Sequence, residues 1–198
     1  MTPLAFAVRV LPVYLLALAL TCIGAATLGV RLFPTWWPAL GILLLLEFIA
    51  LLTFRRVRTW SAVLLCAFAL TAGALAGPLL AEGPPDWSRA AVASVGIPLI
   101  ALPLGWRAGP RLRPFGWLTW AAAWGYIIGW VAWQILVPGS SASPAWGLTG
   151  LVIFSALAAT WASAIPVRPS QEPEASLAFE LYLIGVNLSI AATVLPAS

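Results

Sequence analysis

Long apolar runs, each about twenty positions in length, alternate along this chain with short clusters of Arg, Pro and Gly. A helix needs about 20 mostly apolar residues to cross a bilayer core. In hydrocarbon the backbone must satisfy its own hydrogen bonds, which leaves only helices or a closed barrel. The runs are far longer than the roughly 10-residue strands of a membrane barrel. The pattern therefore predicts an all-α membrane protein with seven transmembrane helices, near residues 10–30, 37–54, 60–81, 89–106, 115–137, 146–166 and 176–196. These fill most of residues 1–198, so a single transmembrane domain is expected, with no room for a soluble one. The connections are short, which makes consecutive helices antiparallel neighbours.

The fourth run is interrupted by Pro98 and Pro103, and a kink is expected there, because proline removes a helical hydrogen bond. The sixth and seventh runs are rich in Ala, Ser and Thr. Small residues let helices approach closely, so these two are expected inside the bundle. Composition agrees with the pattern: 62% of residues are hydrophobic and 8% are charged, with a mean hydropathy of +1.00. A soluble domain carries roughly 25% charged residues. A soluble enzyme, a secreted disulfide scaffold and a disordered regulator are all excluded.

Every basic residue is an arginine. Arg9, the Arg55, Arg56 and Arg58 loop, the Arg107, Arg111 and Arg113 loop, and Arg168 fall on one side of the expected spans; Arg31 and Arg89 fall on the other. The positive-inside rule then puts the N-terminus in the cytoplasm and the C-terminus outside. The first run could be a cleaved signal peptide, but it is long enough to span, and Ala19-Leu20-Thr21-Cys22 is a poor lipoprotein cleavage box, so an uncleaved first helix is expected. Abundant Ala, Trp and Arg without Lys suggests a GC-rich bacterial genome and hence the cell inner membrane. Trp36, Trp37, Trp60, Trp87, Trp106 and Trp146 lie at expected span ends, where interfacial anchors belong. Trp117, Trp120, Trp124, Trp130 and Trp133 crowd the fifth run; they read either as lipid-facing bulk or as a stacking platform for a substrate. Cys22 and Cys66 both lie mid-span and are expected as buried free thiols.

Five stretches in order carry a family resemblance. They are Arg9-Val10-Leu11-Pro12-Val13-Tyr14 through Gly24-Ala25; Leu46-Glu47-Phe48 with Phe54-Arg55-Arg56; Thr71-Ala72-Gly73-Ala74-Leu75-Ala76-Gly77-Pro78; Ile153-Phe154-Ser155-Ala156-Leu157; and Leu181-Tyr182-Leu183-Ile184-Gly185-Val186-Asn187-Leu188. Together they resemble the Bax-inhibitor (transmembrane Bax-inhibitor-motif) family over nearly the whole chain. The resemblance implies a calcium leak channel gated by pH through an aspartate on each of the last two helices. Those two positions correspond here to Trp161 and Ile184, which cannot ionise. The family's pH latch is thus replaced, while the basic loop it would engage, Arg55, Arg56 and Arg58, is retained.

Ionisable residues inside spans are costly and are functional candidates by default. Glu47 sits in an unbroken Leu-Ile-Phe stretch. It must face the bundle interior, pair with a cation or stay neutral; a structural carboxyl and a station on an ion path are both open readings. Glu180, Ile184 and Asn187 share one helix face by spacing. Glu180 either inherits part of the aspartate role one turn away or simply favours the helix dipole in the first turn. Asn187 and Gln134 are expected to bond across helices. The chain has no His, and no nucleophile–base constellation can be written, so neither an enzyme nor a metal site nor a cofactor is expected. The bilayer is the expected partner, its anionic lipids suiting the basic loops. No nucleic-acid partner is expected, because topology already explains the arginines. Two functions follow. One is cation passage along a path lined by Glu47, Glu180 and Asn187. The other is a non-conducting interaction protein that modulates other membrane proteins, such as a membrane protease.

Overall fold

A computed structural model describes residues 1–32, 35–81, 87–137, 143–167 and 172–195, with the backbone alone at 30, 77–81, 87, 88, 134 and 135. Among the described residues every regular element is a helix, and seven principal helices follow the seven apolar runs. We number them α1 (residues 3–32), α2 (Trp37–Phe54), α3 (Arg58–Ala81), α4 (residues 87–108), α5 (Gly116–Leu136), α6 (Pro144–Ala164) and α7 (Glu174–Thr193). Six of them are long and apolar enough to cross a membrane. The exception is α5, whose five tryptophans depress its hydropathy although its length suffices; such rings favour the interface over deep hydrocarbon. This is an all-α membrane bundle.

Local chemistry sets the helix ends and irregularities. Thr2 caps α1, its hydroxyl accepting from the Ala5 amide at 3.2 Å, and Pro3 occupies the first turn. The helix therefore starts earlier than its apolar run suggests. It breaks at Val10 because Pro12 has no amide to offer the preceding turn. The expected disturbance in α4 takes the form of a π-turn at Val92–Gly96, directly before Pro98, while Pro103 stays inside the α-helix Ile97–Ala108. The Ser94 hydroxyl donates to the Ala90 carbonyl at 2.8 Å within this wider turn.

The chain divides into two compact units. The N-terminal unit holds residues 2–85 and 169–182; the C-terminal unit holds residues 86–168 and 183–198. In the first, α1 and α2 both pack on α3. Its core is aromatic: Phe68 meets Phe179 edge-on at 5.4 Å and Tyr182 at 6.1 Å, with Phe48 tilted against Phe68 and Phe179. In the second, α4 and α5 both pack on α6. There Tyr126 stands edge-on to Phe154 at 5.6 Å and to Trp146 at 5.3 Å, and Thr119 and Thr160 share a hydrogen bond of 2.8 Å. The small-residue spans are the best buried, with half of the α6 window and 67% of the α7 window enclosed against 6% for α2. Trp117, Trp124 and Trp133 are exposed on α5, as lipid-facing rings would be. Cys22 departs from expectation: it is exposed on α1, while Cys66 is partly covered.

Candidate functional site

The N-terminal unit holds the carboxyl nearest the middle of a span, that of Glu47. Glu47 projects from α2 and is half-buried. The buried hydroxyl of Thr71, on α3, donates to its Oε1 at 3.2 Å. The second oxygen, Oε2, is shielded and has no hydrogen-bond partner among the described residues. The neighbouring Phe48 packs α2 against Phe68 and Phe179, which fixes the helix that carries the carboxyl. A shielded carboxyl oxygen without a donor is unusual, because buried polar groups are normally paired. A proton or a small cation is what would satisfy it.

The other two members of the expected polar path are placed differently. Glu180 is half-buried in the same unit, between the buried Phe179 and Leu181. Asn187 belongs to the C-terminal unit. Its amide donates to the Leu183 carbonyl one turn back, at 2.7 Å. The interhelical bond expected of that amide is thus replaced by a local one, since a carbonyl four residues back lies within reach of a short side chain. The Gln134 side chain lies outside the described residues. Trp161 and Ile184, at the positions of the family's aspartates, are both buried in the C-terminal unit at about 2% exposure or less. Arg55, Arg56 and Arg58 are exposed, and Arg58 Nε lies 3.4 Å from Glu174 Oε2.

Two features escaped the sequence reading. Thr71 is the partner of Glu47. Tyr182 and Thr21 share a hydrogen bond of 2.6 Å in the core of the N-terminal unit. Thr21 also lies 3.0 Å from the Ala17 carbonyl, to which its hydroxyl can donate. Both residues stood within stretches quoted for the family resemblance, but nothing in their spacing pairs them. Among the described residues no three His, Cys, Asp or Glu side chains gather as they would to hold a metal ion. Compared with known protein families and with curated proteins, the chain matches no family model and no curated relative.

Proposed function

We propose that this chain is an inner-membrane protein of the transport class, in which cations pass by way of the Glu47 carboxyl. The N-terminus lies in the cytoplasm in this reading, following the arginine distribution. Calcium is the cation implied by the resemblance to the Bax-inhibitor family. The observation that carries the reading is the shielded Oε2 of Glu47, an acceptor with no donor, in a span where any such group is costly. With Trp161 and Ile184 in place of the aspartates, control by the family's pH latch is not part of the proposal.

The purified chain in liposomes, with a calcium dye and separately a pH dye inside, tests it. Flux above empty liposomes is expected, falling about tenfold or more in Glu47→Gln, since loss of the carboxylate beside the path removes the cation's main compensation. Absence of flux at every pH, or flux unchanged after Glu47→Gln and Glu180→Gln together, overturns the reading. A second reading is favoured by one observation: Trp161 and Ile184 are packed into an apolar core. A scaffold that modulates another membrane protein, such as a protease, can fill those positions with bulk. A stoichiometric partner on gentle purification supports that alternative, and a lone, conducting chain rejects it.

A further inference from the structure

At one end of the N-terminal unit a pocket of about 420 Å³ opens among α1, α3 and the start of α7. Arg9, Arg58 and Glu174 stand around it, and Val13, Ala62 and Ala175 complete the lining. Arg58 and Glu174 are the first residues of their spans, and Arg9 lies in the opening turns of its own. The pocket is therefore at head-group depth. The Arg58–Glu174 contact, 3.4 Å long, leaves the arginine side chain 81% exposed, so it is a weak pair that a stronger anion can open. Arg9 is exposed and has no ion-pair partner among the described residues. Two guanidinium groups against one carboxylate leave a single positive charge in excess.

We propose that this pocket binds the head group of an anionic phospholipid of the phosphatidylglycerol type. One phosphodiester matches the one excess charge, held between Arg9 and Arg58; guanidinium is the side chain best suited to phosphate oxygens. The free hydroxyls of the head group find an acceptor in the Glu174 carboxylate. Three of the six lining residues are apolar, which suits a glycerol backbone continuing into the membrane and does not suit a free, fully hydrated phosphate. A zwitterionic phosphatidylethanolamine would set its ammonium against Glu174, but it carries no net charge to match the excess. The bound lipid then ties α1, α3 and α7 together at their ends, independently of whether cations pass Glu47.

Native mass spectrometry of the full chain, released from nanodiscs of phosphatidylcholine mixed with either phosphatidylglycerol or phosphatidylethanolamine, reads occupancy directly. Phosphatidylglycerol is expected to remain bound. Arg9→Gln and Arg58→Gln are each expected to weaken its retention about fivefold, the effect of one surface arginine on an anionic lipid. Glu174→Gln should strengthen it. Ala62→Phe, which fills the pocket while leaving every charge, should abolish it, and Arg107→Gln with Arg111→Gln should not change it. Ala62→Phe and Glu174→Gln keep both arginines, so they carry the test even where an arginine variant loses the fold. Equal retention in Ala62→Phe and the unaltered chain overturns the proposal, as does equal loss from the Arg107 and Arg111 control. Equal retention of phosphatidylethanolamine overturns the charge argument. Displacement by soluble glycerol phosphate at comparable concentration assigns the pocket to a soluble phosphate ester instead.

Discussion

Gly73 on α3 is the position where a single methyl group should do most damage to the N-terminal unit. A Cβ there would run into the Thr21 carbonyl oxygen of α1, with the Thr21 carbonyl carbon at 2.8 Å and the Ala25 amide nitrogen at 3.0 Å. Ordinary contact begins near 3.4 Å, and the obstacle is backbone on all three counts, so no side chain can turn aside. Gly24 on α1 presses in the same way on the Leu70 carbonyl of α3, so the two glycines form one reciprocal crossing. Gly73→Ala must push the helices apart. Overpacking of this kind costs about 1–3 kcal/mol. Moving Thr21 also strains its bond to Tyr182, worth about 0.6 kcal/mol in a membrane bundle. Against this stands the better helix propensity of alanine, at most about 1 kcal/mol. The net expectation is a loss of about 0.5–2.5 kcal/mol. The control is Gly125→Ala on α5, where an added Cβ meets nothing within 4 Å and propensity alone acts, leaving stability equal or slightly higher. Reversible unfolding by SDS titration in mixed micelles, followed by the fluorescence of the twelve tryptophans, measures both. If Gly73→Ala unfolds at the same SDS fraction as Gly125→Ala, the close crossing of α1 and α3 is wrong.

Three further outcomes are expected from the same titration. Tyr182→Phe removes the hydroxyl partner of Thr21, but Thr21 keeps its bond to Ala17, so the loss should stay near about 0.6 kcal/mol; a loss beyond about 2 kcal/mol would mean that the hydroxyl has a second role. In the C-terminal unit, a Cβ at Gly150 would meet the Tyr126 hydroxyl at 2.6 Å and the Ala191 Cβ at 2.8 Å, so Gly150→Ala should cost about 1–2 kcal/mol. Tyr126→Phe removes the hydroxyl but leaves the ring Cζ at 2.8 Å and the Ala191 Cβ in place, so it should restore only a small part of that loss; a double mutant fully as stable as Tyr126→Phe alone would place Tyr126 elsewhere. Glu47→Leu should raise stability by about 1 kcal/mol, because it removes a shielded acceptor without a donor, and the freed Thr71 hydroxyl can turn to its own helix. A clear drop would instead make Glu47 a structural brace and weaken the transport reading.

The spans were legible because the argument for them needs no partner. A backbone in oil must bond to itself, and apolar length alone then places the helices. What was not legible is which polar groups meet, because that depends on how far each helix tilts and slides. A hairpin folded symmetrically about Arg55–Val57 would set Glu47 level with Leu65, yet its donor is Thr71, further along α3. The Arg9, Arg58 and Glu174 pocket draws on three helices distant in sequence, and no local pattern marks it. Asn187 illustrates a more general point. Without competing water, a carbonyl one turn back on the same helix takes one of its amide protons without any need for a neighbour. A polar residue in a span therefore signals function only when its own helix cannot satisfy it. Asn187 fails that criterion on its donor side, whereas Glu47 meets it, since a carboxylate has no proton to give to its own carbonyls and must find a donor elsewhere. The same criterion ranks Glu47 above Asn187 as the first residue to mutate in a flux assay.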